Sequence, residues 1–198
     1  TEIDDALSVQ GLGTGTVTLG IHIAAPGLAI QPGGDLDKLG RTRLSTVYMP
    51  GYKITMLPDA VVQIYTLDEG RANPAVSLYA TIDEQTLEIT ATETRLERVP
   101  VAVNLRHDQL DHIVTEAWLQ DPSIQHENTP QALLDRREQL SFLYRLALKL
   151  KAGRELVYGL SDNKFHTDTK GNPIHKHTTL TPLLTDDMPL WLEAWQHV

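Results

Sequence analysis

Apolar and polar residues alternate over 6–9 (Ala6, Leu7, Ser8, Val9), and a mostly apolar stretch runs over 16–24, with Gly11, Gly13 and Gly15 between them. That pattern predicts a strand, a turn and a second strand. Pro26, Gly27, Pro32, Gly33 and Gly34 then mark an extended, turn-rich passage. Asp35 can cap a short helix reaching about Thr46, with Leu36, Leu39, Arg43 and Leu44 marking its faces. The segments around Tyr48–Gly51 and Met56–Pro58 read as irregular, punctuated by proline, and 60–67 is a short apolar run that fits strand or helix. Val76, Leu78, Ala80 and Ile82 alternate cleanly. Strands are therefore predicted over 74–82 and 86–97, with Asp83-Glu84-Gln85 as the turn. Thr and Glu dominate the second of them, which predicts one wet face.

Past residue 100 the period changes. Leu110, Ile113, Val114 and Ala117 have helical spacing within 108–119. Thr129 followed by Pro130 is a helix start and Gly153 a helix stop, with Leu140, Leu143, Ala147 and Leu150 forming the stripe between. Arg136, Arg137, Arg145, Lys149 and Lys151 fall mostly off that stripe and read as a solvated face, the alternative being a minor role in guiding RNA. A hairpin is expected from Leu156–Leu160 and Thr178–Leu184 around Lys170-Gly171-Asn172-Pro173. The whole reads as α+β, a mixed twisted sheet wrapped by helices: 1–100 mainly β, 101–155 mainly helical, 156–198 hairpin plus short helix.

Composition narrows the function classes. With 198 residues, 41% hydrophobic and 22% charged, the chain is of ordinary globular make-up, one domain or part of one. There is no cysteine, which removes disulfides, thiolate nucleophiles and Cys-based zinc sites and suits a cytoplasmic protein. No apolar run approaches the roughly 20 residues that cross a bilayer, and no leader-like segment opens the chain, so neither membrane insertion nor secretion is expected. The net charge of −9 runs against nucleic-acid binding by phosphate neutralisation alone. A bound divalent ion reverses that logic, because it gathers carboxylates and itself meets the phosphate.

Glu2, Asp4 and Asp5 stand at the head of the first apolar strand. Like charges this close raise one another's pKa and destabilise a fold unless a positive group sits among them. Two readings follow from the residues alone: an exposed acidic end, or oxygen ligands for a hard divalent cation.

The order of segments adds to this. Glu2-Ile3-Asp4-Asp5-Ala6-Leu7-Ser8 is followed by Gly20-Ile21-His22-Ile23-Ala24-Ala25-Pro26, Gly34-Asp35-Leu36-Asp37, Arg43 through Gly51, and Ile54-Thr55-Met56-Leu57-Pro58. This succession resembles the opening of the catalytic domain shared by ribonuclease II, ribonuclease R and the exosome nuclease, the RNB family. The resemblance is clear over about residues 1–60, weaker to about 110 and thin beyond. It implies a partial RNB-type catalytic domain and a 3′→5′ exoribonuclease that hydrolyses single-stranded RNA, not DNA, to 5′-nucleotides with Mg2+ or Mn2+. Partners implied are single-stranded RNA and OB-type RNA-binding domains elsewhere in the parent chain.

Carried over by position, the resemblance makes Glu2, Asp4 and Asp5 the catalytic and metal-binding acids, Asp5 binding metal directly. It places a further acid six residues before Glu2, ahead of Thr1, and a catalytic arginine beyond the matched half. Tyr48 falls where an aromatic side chain holds the 3′-terminal nucleotides, and Arg43 and His107 are the other implied RNA-binding residues. Three departures stand out: Glu2 replaces an aspartate, His107 a sugar-reading tyrosine, and Ala25 another aspartate. They keep open a catalytically silent RNA-binding or scaffolding relative of the same fold. A metal-stabilised interaction domain is a third reading.

Other motifs carry less. Gly11–Gly15 lacks the Lys-Ser/Thr ending and strand–loop–helix context of a phosphate loop. His175 and His177 lack further ligands nearby, and His22 reads as a hydrogen-bonded core histidine. Ser8, Ser45 and Ser77 show no nucleophile signature. Trp191 and Trp195 form a packing face.

Overall fold

The computed structural model describes residues 2–105, 110 and 113–158. The chain divides into two compact units, Thr1–Asn104 and Leu105–Val198.

The first unit is built on β1 (Asp5–Gln10), β2 (Thr16–Ala24), β5 (Ala72–Asp83) and β6 (Ile89–Pro100), a sheet of order β1-β2-β5-β6. Each pairing is antiparallel, so the α+β class holds but the sheet is antiparallel rather than mixed. Gly11, Gly13 and Gly15 all have positive φ, between 79° and 86°, which only glycine adopts at no steric cost. The Gly13 and Gly15 N–H groups donate to the Glu84 carboxylate at 2.8–3.0 Å. The glycine loop is thus a hairpin turn gripped by the next turn of the sheet. Val17, Leu19 and Ile82 are buried, while β6 is exposed on both faces along most of its length, where its Thr and Glu content predicted one wet face.

Between β2 and β5 lie a short 3-10 turn (Pro26–Ala29), α1 (Asp35–Arg43), the strands β3 (Val47–Met49) and β4 (Tyr52–Ile54), and α2 (Asp59–Tyr65). Gly34 rather than Asp35 is the cap residue of α1, and the helix stops at Leu44, short of Thr46. The ambiguous apolar run is helical, with Pro58 at its start. The segment expected to be irregular around Pro50 is a hairpin, because Pro50-Gly51, with Gly51 at φ 84°, makes a two-residue turn.

The second unit holds α3 (Glu116–Gln120), α4 (Gln131–Leu134) and α5 (Arg137–Tyr158). The Thr115 hydroxyl caps α3 by accepting from Trp118 N at 3.2 Å, so the helix predicted over 108–119 is interrupted: Leu110 is helical, residues 113–115 are not, and α3 starts afresh at Glu116. Leu110, Val114, Trp118, Leu119, Leu133 and Tyr144 form the core. The helix announced by Pro130 pauses at Asp135–Arg136 before α5. Gly153 does not stop it: α5 runs on to Tyr158, since neighbouring turns outweigh the roughly 1 kcal/mol that an interior glycine costs. Residues 156–158 are therefore helical instead of opening a hairpin strand. The remainder of that hairpin, His175, His177, Trp191 and Trp195 lie outside the described residues.

Arg137 is no solvated cation. Its guanidinium donates to the carbonyls of Trp118, Asp121, Pro122 and Ile124 and stacks on the Trp118 ring at 4.4 Å. It clamps the chain after α3 to the start of α5.

Candidate functional site

Residues 2–5 are held by the backbone of the first unit. Ile3 N donates to Thr66 Oγ1 at 2.8 Å, Leu67 N donates to the Ile3 carbonyl at 2.9 Å, and Ala24 N donates to the Asp4 carbonyl at 2.7 Å. The Ile3 side chain packs with Ala6 and Ala24 against the buried cluster of Leu67, Ala75, Val99 and Val101. Side chains alternate along an extended chain. Anchoring Ile3 inward therefore turns its neighbours Glu2 and Asp4 away from that cluster, and Asp5 opens β1.

A cation reaches the Glu2–Asp4 side from the β3–β4 hairpin. Lys53 Nζ donates to the Glu2 carboxylate in an ion pair; the Lys53 side chain is 35% exposed and that of Glu2 only 14%. Lys53 is the register partner of Tyr48, and its ammonium lies 5.9 Å from the Tyr48 ring centroid. The hydrogen bond to Glu2 pushes the Lys53 pKa up from its ordinary value, with smaller upward pulls from the charges of Tyr48 and Asp4.

Asp4 and Asp5 both reach the surface, yet each is pushed above the usual carboxylate range. For Asp4 the causes are partial burial and then the charge of Glu2, with Lys53 pulling back. For Asp5 they are partial burial and then the charge of Asp4, opposed by a backbone hydrogen bond. This pair is short of positive charge. A divalent ion relieves that condition, and magnesium needs only one or two carboxylates beside water and phosphate oxygens. Asp4 and Asp5 supply carboxylates of the kind such an ion takes. Among the described residues no three His, Asp or Glu side chains are grouped to hold one metal ion.

Of the residues implied to touch RNA, Tyr48 is 72% exposed on the hairpin. Arg43 stands at the hairpin's foot, its Nη1 donating to the buried Thr55 carbonyl at 2.8 Å. His107 lies outside the described residues. Sequence reasoning missed Lys53; reading Pro50-Gly51 as a two-residue turn would have placed it opposite Tyr48. His22 is a core histidine as expected, 2% exposed, with Nε2 2.9 Å from Ser8 Oγ and Nδ1 2.8 Å from Ser77 Oγ. No helix among the described residues is long and apolar enough to cross a membrane.

Comparison with known proteins bears on the whole chain. Exoribonuclease 2 of Vibrio cholerae serotype O1 is 40% identical over 82 residues, which is 41% of this chain and 12% of that protein. Protein SSD1 of Saccharomyces cerevisiae is 31% identical over 106 residues, 54% of this chain and 8% of that protein. The chain thus spans only a small part of the curated relatives it matches. In fold it is similar to the apo form of Mycoplasma genitalium RNase R (TM-score 0.67, 18% identity, 99% of this chain and 28% of that one). It is similar as well to yeast Ssd1, described as a pseudonuclease (TM-score 0.64, 24% identity, 81% of this chain and 18% of that one). The RNB domain matches residues 1–187. With the acidic segment, the exposed tyrosine hairpin and an α+β fold of this kind, the chain belongs to the RNB-domain family.

Proposed function

We propose that this chain carries the acidic part of a 3′→5′ exoribonuclease that hydrolyses single-stranded RNA to 5′-nucleotides with magnesium or manganese. The observation that carries the reading is the Asp4–Asp5 pair, exposed and short of positive charge at the head of β1. The 40% identity to a protein named Exoribonuclease 2 supports it.

Asp4 and Asp5 would hold the ion. When bound, a divalent ion supplies a polarised water and positive charge for the scissile phosphate. The Tyr48 face, exposed on the hairpin, stacks on a terminal base regardless of sequence, a contact worth about 1–3 kcal/mol per base. Arg43 acts at one remove, fixing the foot of the hairpin through the Thr55 carbonyl. In this reading OB-type domains elsewhere in the parent protein deliver the strand.

A second reading has specific support. Glu2 is engaged by Lys53, and the fold is shared with a protein described as a pseudonuclease. A silent RNA-binding relative would keep the hairpin and lose the hydrolysis.

The test uses the intact protein, 5′-labelled RNA or DNA of one sequence, magnesium or EDTA, and an Asp5→Asn variant. A ladder shortening from the 3′ end only with RNA, metal and Asp5 supports the exoribonuclease. Intact RNA in every lane, still bound by folded protein, supports the silent relative.

A further inference from the structure

The Glu2–Lys53 pair joins residues 51 apart in the chain. Three observations set Lys53 apart from a surface lysine. Its partner Glu2 is largely withdrawn from water. It interacts with two acids of the site, bonded to Glu2 and within the field of Asp4. It also sits over the ring of Tyr48, its register partner. An isolated two-stranded hairpin is marginal in water. This ion pair, the Arg43 bond to Thr55, and the Met56 N–H donated to Thr46 Oγ1 at 3.2 Å tie the hairpin to the rest of the unit.

A carboxylate that accepts a hydrogen bond from an ammonium is already neutralised. A divalent ion approaching it must displace the ammonium or be repelled by it. At the effective dielectric of a protein surface, a unit charge a few ångströms away alters the affinity of a divalent ion about tenfold or more.

We propose that Lys53 is a resident cation of this site, which neutralises Glu2, keeps it out of the metal's coordination and leaves the divalent ion to the other acids. Lys53 is then a positioning residue. It stands where another acidic ligand would otherwise recruit metal charge, and it fixes the Glu2 carboxylate relative to the Tyr48 ring. The inference rests on the metal-dependent reading above, but the two fail separately.

The experiment is a Mn2+ titration of the intact protein by calorimetry and electron paramagnetic resonance, with circular dichroism to verify folding. The proteins are wild type, Lys53→Gln, Lys53→Arg and the double variant Glu2→Gln/Lys53→Gln. Lys53→Gln frees Glu2 and is expected to tighten Mn2+ binding about tenfold. Lys53→Arg keeps the charge and restores the wild-type affinity. The double variant removes a neutral pair and also stays close to wild type. Should Lys53→Gln fail to fold, the double variant carries the test, because a tenfold loss there makes Glu2 a ligand and overturns the proposal. Equal binding by wild type and Lys53→Gln overturns it too, leaving the metal-dependent reading intact. Binding by Lys53→Gln but not by wild type upholds the role of Lys53 and removes that reading. Binding by none of the four overturns both.

Discussion

Replacing Gly20 by alanine tests the polar relay that runs beneath the sheet. A β-carbon at this position would lie 2.4 Å from Ser8 Oγ and 2.8 Å from Cε1 and Nε2 of His22. The serine hydroxyl can rotate aside. The imidazole cannot, since it is 2% exposed and held at its other nitrogen by Ser77 Oγ, 2.8 Å away. Two costs follow. Forcing a methyl group into a packed site costs about 1–3 kcal/mol, and a buried ring nitrogen left without its partner costs about another 1–3 kcal/mol. The expected loss is about 2–6 kcal/mol, read as a lower urea midpoint or as a fall in Tm of roughly 10 °C or more for a unit of this size. Ser8→Ala in the same background removes the nearest atom of the clash. The double variant is therefore expected to lose less than the sum of the two single changes. A Gly20→Ala protein within 0.5 kcal/mol of wild type would refute the reasoning, as would strict additivity.

Three further outcomes are expected. Burial holds the His22 pKa below its ordinary 6.5, with Glu97 pulling it partly back, so the native ring stays neutral where the unfolded chain begins to take a proton. That contribution to stability is full above about pH 6.5 and shrinks as pH falls toward the folded-state pKa; a His22→Gln variant with an undiminished acid loss would contradict it. Arg137→Lys cannot reproduce a planar fork across the carbonyls of Trp118, Asp121, Pro122 and Ile124. It is expected to cost about 2–3 kcal/mol in thermal melts of the second unit, and an unchanged melt would sink the clamp. Tyr48→Ala is expected to weaken RNA binding by about 1–3 kcal/mol while Tyr48→Phe keeps it, measured by filter binding; equal loss in both variants argues against stacking.

Local preferences wrote much of this protein into its sequence. The alternation of Val76, Leu78, Ala80 and Ile82 marked β5, and the positive-φ glycines between Gly11 and Gly15 marked the first turn. The ordered segments from Glu2 to Pro58 carried the family, which the RNB match over residues 1–187 bears out. Such signals are legible because they depend on residues close together in the chain. Tertiary structure decided the remainder. Gly153 stays helical within the turns that continue on either side of it, and Arg137 leaves solvent for a cage of carbonyls, outcomes that the propensity of one residue does not decide. Likewise His22 finds Ser8 and Ser77 on the two flanking strands, and Lys53 finds Glu2 across 51 residues. Strand register and the burial of Ile3 fix those meetings, and neither is expressed in the spacing of residues along the chain.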